Sequence, residues 1–380
     1  MEFFQMVDLP FLINGLLRLI ILIFFIALLS LFAGLGIQKN RLARRAKKEA
    51  EQVQRYVHQL SAIEAGGLQQ VEPLPRSMRD LVCLGHAYRT SGEMRPNRIG
   101  FRIDTPHYAQ QISLLKQSLK SRKWGVRYQS IDTIANLRLH TLFEFLLLHS
   151  VTEINNNVTS HCLHVCALLL RSTAKFNALA TRLDHDNQLS TNLIEGLARI
   201  AIQKLQEHQT VGAVEDCVTS CLVAQGRSLL FRVGLINAIG KQQMLGLKEV
   251  LITLAHDSQT DDIADTAHAY ATAVPRESAM TLAVMRAIAS FNQYDDVIRR
   301  QLESALPTMQ VVALRSSLHC DDASLPLIAQ QLHSLHFDVR HAAAQTLAKM
   351  GTRGRVFLEK TQMGTDRYAK NIAEFALAVG

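Results

Sequence analysis

Residues 19 to 37, LIILIFFIALLSLFAGLGI, run for nineteen residues without a charge, and the next eleven carry six Lys or Arg. A run of this length has the reach of a helix crossing about 30 Å of hydrocarbon at about 1.5 Å per residue. Inside hydrocarbon every backbone N–H and C=O must be satisfied within the segment, so helix is the conformation available to it. No second run of this kind follows in the remaining sequence.

The flanks argue for an uncleaved anchor. A cleaved signal begins with a basic region and ends at a small-residue cleavage site. Here the first ten residues contain Glu2 and Asp8 and no base, and Lys39, Arg41, Arg44, Arg45, Lys47 and Lys48 follow the run directly. Positive flanks stay on the cytoplasmic side. The expected arrangement is a short extracytoplasmic tail (1–10), a transmembrane helix (11–37), and a body on the cytoplasmic face of the inner or plasma membrane. Arg18 lies within the longer span, where it either snorkels to the outer interface or meets an acidic group of a partner helix.

Charge is distributed unevenly behind the anchor. Residues 66 to 130 hold eleven bases against four acids, whereas 131 to 380 hold twenty-two against twenty-four. Attraction to anionic lipid headgroups is the simplest account of the basic third, and the six cations from Lys39 to Lys48 are the expected headgroup contacts. No basic stripe with interleaved aromatics accompanies them, so nucleic acid is not an expected partner.

Residues 38 to 64 read as a basic juxtamembrane helix. Ala46, Ala50, Val53, Val57 and Leu60 follow a 4-3-4-3 spacing, an a/d seam two heptads long. It suits weak self-association, or packing on the chain's own domain or on the membrane surface. Gly66-Gly67, Pro73, Pro75, Gly92, Pro96, Gly100 and Pro106 then punctuate residues 65 to 108, an expected linker or irregular cap with room for one helix at 76–90. From 109 to 380 short amphipathic segments follow one another, with polar joints and no period-2 alternation. The expected fold is all-α, and helices with such modest apolar faces must stack on their neighbours.

Residues 323 to 351, ASLPLIAQQLHSLHFDVRHAAAQTLAKMG, carry a pattern. Leu325, Pro326, Leu327 and Leu332 make a first helix, Asp338-Val339-Arg340 a turn and start, and Ala343, Ala344 and Leu347 a second helix closed by Gly351. Pro326 suits a first turn, Asp338 an N-cap, the alanines a close helix approach and Gly351 a left-handed terminus. Val126, Arg127, Ile131 and Ile134 repeat the offsets, with Trp124 in place of the Asp. Looser echoes lie at 228–240, 260–274 and 305–318. The pattern resembles a HEAT repeat. The resemblance implies a HEAT-like α-solenoid over 109–380 with a capping last helix at 366–378, a partner-binding concave face built by the second helices, and an acidic partner for Arg340. On that face the residues expected to meet a partner are Arg127, Gln129, Arg232, Arg315 and Arg340. CLGHAYRTSGEMRP (83–96) is similar to half a tetratricopeptide repeat, through Leu84, Gly85, Tyr88 and Gly92, which makes that family the alternative fold.

Catalytic signatures are not found. There is no phosphate-binding loop and no nucleophile elbow. His161, Cys162, His164 and Cys166 are the best metal candidates, but one helical turn cannot wrap a tetrahedral ion with all four. Cys217 and Cys221 form another i, i+4 pair. Small buried residues where helices touch are the expected role of these four cysteines, and all six are expected to be kept reduced inside a cell. Asp261-Asp262, Asp295-Asp296 and Asp321-Asp322 each precede a helix and read as caps, and His333, His336 and His341 gather around one inter-helix turn on the surface. No cofactor and no metal are expected. The expected function is a non-catalytic, membrane-anchored scaffold that holds a protein partner, cytoplasmic or part of an envelope synthesis or transport complex. An accessory subunit of a lyase-like enzyme and a lipid-surface binder are the alternatives.

Overall fold

A computed structural model describes residues 9–65, 70–94, 108–186, 188–260 and 276–379; for 9–23, 27, 64, 92–94, 257–260 and 276–278 it describes the backbone alone. Every regular element among the described residues is helical. The chain divides into two compact units, 1–139 and 140–380.

The first unit holds α1 (Leu9–Glu64), α2 (Met78–Met94), α3 (Ala109–Ser118) and α4 (Trp124–Asn136). The apolar run and the basic segment expected as a separate helix at 38–64 are thus parts of one helix of 56 residues. Residues 37 to 64 contain no Gly or Pro and are rich in Ala, Arg, Lys, Glu and Gln, so nothing in the sequence interrupts it. The C-terminal part of this helix packs on α2: Leu60 of the seam and Tyr56 beside it are buried and Val53 and Val57 half-buried, whereas Ala46 and Ala50 are exposed. The stretch expected as linker or cap therefore supplies a helix of the domain. α2 lies on α4, where Gly85 faces Thr133 and Asn136, and Leu84 and Tyr88 are buried.

The apolar run is bare along α1. Phe24, Phe25, Leu29, Leu31, Phe32 and Leu35 are all more than half exposed. Among the described residues no helix is long and apolar enough to cross a membrane. Residues 1–8, and the side chains of 9–23 and 27, lie outside that description, and with them the tail, Arg18 and six residues of the run.

The second unit opens with a 3-10 turn at His140–Leu142 and continues through α5 (Phe143–Thr152), α6 (Asn156–Leu168), α7 (Thr173–Asp184), α8 (Thr191–Gln206), α9 (Val211–Val223), α10 (Leu229–Lys241), α11 (Lys248–Thr260), α12 (Arg276–Ser290), α13 (Asp296–Gln301), α14 (Pro307–Ser316), α15 (Leu325–Gln330), α16 (Phe337–Lys349), α17 (Thr352–Gln362) and α18 (Arg367–Val379). Each even-numbered helix packs on the next: α6 on α8, α8 on α10, and so to α16 on α18. Odd-numbered helices pack beside them, α7 on α9 and α15 on α17. The even helices begin at 156, 191, 229, 276, 307, 337 and 367, intervals of 30 to 47 residues. This two-row stacking is the arrangement of an α-solenoid. The widest interval contains 261–275, so the 260–274 echo and Asp261-Asp262 lie outside the described residues.

Local chemistry sets each turn. Asn155, Ser172, Ser190, Thr210 and Ser228 cap α6 to α10, each side-chain oxygen accepting from a first-turn N–H. The second residue past four even helices has positive φ: Arg138, Gln243 and Asn292 at 52° to 56°, and Gly351 at 63°. After α4 and α10 the N–H of the following residue returns to a helix carbonyl, Leu139 to Ile134 and Met244 to Ile239, which satisfies terminal acceptors in the Schellman manner.

The 323–351 unit folds much as its pattern requires. Pro326 sits in the first turn of α15, and Leu325, Leu332, Val339, Ala343, Ala344 and Leu347 are buried. Two details differ. Asp338 is exposed in the first turn of α16 and caps nothing, because the cap position falls on His336. Its charge meets the helix dipole instead. Gly351, with ψ at −134°, leaves the helix in a glycine-only conformation outside the left-handed helical region.

Candidate partner-binding face

The second helices carry the residues that sequence placed on a binding face. Arg127, Arg232 and Arg340 are each the fourth residue of their helix. Each guanidinium turns back to close the preceding turn. Arg127 Nη1 donates to the Ser121 carbonyl at 2.8 Å, Arg232 Nη2 to Ala224 at 3.0 Å, and Arg340 Nη1 to Ser334 at 2.7 Å and Leu335 at 3.2 Å. The partner of Arg340 is thus a pair of carbonyls rather than the acidic residue the resemblance implied. Such charge-assisted bonds hold the first-helix-to-second-helix turn at a set angle. Gln129 is exposed on α4 and Arg315 is exposed near the end of α14.

Around Arg340 the structure gathers an aromatic cluster that sequence reading did not single out. Phe337 and Tyr368 lie 6.0 and 5.4 Å from its guanidinium carbon. His341 stacks on Phe337 at 5.7 Å between ring centres and approaches Phe375 at 6.5 Å. Phe337, Tyr368 and Phe375 are 60%, 70% and 54% exposed, so three rings from α16 and α18 face solvent. The last helix, expected as a cap, buries Ala369, Ala373 and Ala376 and shows its large rings outward. The signal was available: alanines mark the packed face of α18, and the rings sit off that face.

The histidines disperse around the same turn. His333 Nδ1 pairs with Asp366 Oδ2 at 2.9 Å, and His336 begins α16. His333 beside Asp366, with the N–H groups of Ala369 and Tyr368, holds that carboxyl below its usual range.

A groove of about 770 Å³ opens between α5 and α7, with Leu148 and Val151 exposed on its rim. Of its charges, Arg182 binds Asp186 at 2.8 Å and the Ser150 carbonyl at 2.9 Å, and Glu153 lies 3.4 Å from His149.

The cysteine groups are packed. Cys162 and Cys166 are fully buried, burial raises the Cys166 thiol well above its usual range, and the rings of His161 and His164 stack 6.4 Å apart. Cys217 and Cys221 both reach Asn177 Oδ1, at 3.3 and 3.1 Å. The hydrogen bond between them raises Cys217 and lowers Cys221. Among the described residues no three His, Cys, Asp or Glu side chains converge as metal ligands would. Asp295 caps α13 through the Val297 N–H and pairs with Lys248 at 3.2 Å. Asp321 accepts from the Ser324 N–H, and Asp322 meets Arg353. These carboxylates hold turns and neighbouring helices.

The six cations from Lys39 to Lys48 are exposed along α1. The chain matches no protein-family model, and no curated protein is significantly similar to it.

Proposed function

We propose that this chain is a non-catalytic scaffold, held in a membrane by α1 and binding a protein partner through the face of its even-numbered helices. The aromatic cluster of Phe337, Tyr368 and Phe375 around Arg340 carries the reading. Exposed aromatic rings beside an arginine are the residue types that dominate protein interfaces, because they bring large area at small entropic loss. Three such rings on adjacent helices exceed the scattered exposure normal for a soluble surface.

The anchor supports the same reading. Large apolar side chains from Phe24 to Ile37 are bare on one helix, and hydrocarbon is the medium that would cover them on every side. The cations at 39–48 support a body on the cytoplasmic side of an inner or plasma membrane, against anionic headgroups. A partner anchored in the same membrane meets the face at raised effective concentration, so a small cluster can hold it. An envelope synthesis or transport complex is the partner class this location favours. The HEAT-like architecture supplies the extended surface, and its turns supply the rigidity.

The test is affinity purification of the full chain in mild detergent, beside a Phe337→Ala/Phe375→Ala variant. The expected result is a membrane protein recovered in stoichiometric amount with the wild type and lost with the variant. Recovery of the wild type alone, under conditions that keep other membrane complexes whole, overturns the scaffold reading.

A further inference from the structure

The arrangement of charge around α1 carries a statement about how the helix meets lipid. Taking about 100° per residue, Lys39, Lys47, Arg44, Lys48, Arg41 and Arg45 fall at about 0°, 80°, 140°, 180°, 200° and 240° around the axis. All six are exposed. A helix that lies in the interface keeps a continuous apolar stripe of about 100° or more for the lipid and confines its charges to the other face. The widest gap between the cations here is about 120°, and it holds Leu42 and Ala46 together with Gln38 and Glu49. One leucine and one alanine are too little apolar area to lay the segment flat.

The backbone is equally direct. α1 runs without interruption from Leu9 to Glu64. Arg79 of α2 reaches it, its Nε 3.0 Å from Glu49 Oε1 and its Nη2 donating to the Arg45 carbonyl at 3.4 Å. Arg45 is eight residues past Ile37, a rise of about 12 Å. The headgroup layer on one side of a bilayer is about 5–8 Å deep.

We infer that α1 crosses the headgroup layer upright as a continuous strut, with Lys39 and Arg41 at the depth of anionic lipid phosphates, the cations from Arg44 to Lys48 set around its circumference just beyond them, and the contact with Arg79 on the aqueous side of that layer. The inference rests on the membrane reading above and deepens it. Lipid contact then belongs first to Lys39 and Arg41, with the long side chains at 44–48 reaching back toward the phosphates. Arg79, the nearest cation of α2, is spent on α1 itself.

All six native cysteines are buried, so a cysteine introduced on α1 takes a nitroxide selectively in the folded chain. Single-cysteine variants from Gln38 to Glu51, every one at an exposed position, are reconstituted as full chain in phosphatidylcholine/phosphatidylglycerol vesicles doped with a nickel-chelating headgroup lipid. An upright strut gives relaxation by nickel that falls severalfold and smoothly from Asn40 to Glu51, whichever face the label occupies. An oscillation with a 3.6-residue period shows a helix lying on the surface and overturns the inference, while the membrane reading stands. A chain stripped from the vesicles by alkaline wash overturns both.

Discussion

Single residues in this chain are set by the turn they close. The Arg340 guanidinium binds two carbonyls and lies against two rings, and a hydrogen bond from a charged donor is worth about 1.5–3 kcal/mol. Arg340→Met is expected to lower the thermal midpoint of the full chain by about 3–10 °C. Arg315→Met, on an exposed site, should stay within about 0.5 kcal/mol of wild type. Circular dichroism melts of both decide it: equal midpoints would mean that the clamp contributes nothing. The positive-φ positions make a second case. Gln243 and Asn292 hold φ values of 52° and 56°, where a Cβ costs about 1–2 kcal/mol. Gln243→Gly and Asn292→Gly should each stabilise by about 0.5–1 kcal/mol after the added unfolded-state entropy of glycine is subtracted. Urea denaturation reads the sign, and destabilisation in both would remove strain from the account of these turns.

Helices are fixed to one another by small residues and by carboxylates that reach across. A Cβ at Gly240 would lie 2.8 Å from Ala287 Cα, so the α10–α12 approach depends on its absence, whereas nothing lies within 4 Å of a Cβ at Gly196. Gly240→Ala should therefore cost about 1–3 kcal/mol by forcing α12 away. Gly196→Ala, inside α8, should gain about 0.5–1 kcal/mol. The end of α7 is tied to the start of α10 by Asp184, which accepts from the Ser228 N–H at 2.7 Å and pairs with Arg227 at 3.3 Å. Burial works to raise its pKa, but Ser228 and Arg227 outweigh that and hold it below the usual carboxylate range. A lowered folded pKa gives stability that is present above the unfolded value, about 3.9, and is lost as pH falls through the folded value. Asp184→Asn should flatten that acid limb of the stability curve, and a limb as steep as wild type would assign it to other groups. Much of this level was legible in sequence. Pro326, the paired alanines and Asp295 have roles that follow from residue type and spacing. The cap at His336, the clamping arginines and the α2 contact with α1 and α4 were not legible, because each depends on which carbonyl or helix lies opposite in space. The a/d seam shows the limit best: its spacing is real, yet tertiary packing covers Leu60, and Tyr56 off the seam, and leaves Ala46 and Ala50 bare.

At the scale of the second unit, stability is expected to follow position along the stack. In a structure where each helix touches only near neighbours, local opening proceeds from the ends, and interior helices must wait for those outside them. α10 packs on α7, α8, α9 and α12, and its Phe231, Leu235, Ile236 and Ile239 are buried to 1% exposure or less. α18 packs on α16 and α17 and keeps Tyr368, Phe375 and Val379 in solvent. Amide hydrogen exchange of the full chain should therefore be slowest in α8 and α10, rise through α14 and α16, and be fastest in α18. The binding reading adds a condition that separates stack position from function. If the aromatic cluster is the partner face, α16 and α18 gain the most protection when the partner is bound, because docking supplies the neighbour that α18 lacks, while α8 and α10 barely change. Protection that is uniform along the free chain would replace the stacked picture with a single cooperative core. Protection gained chiefly at the α5–α7 groove would move the partner there.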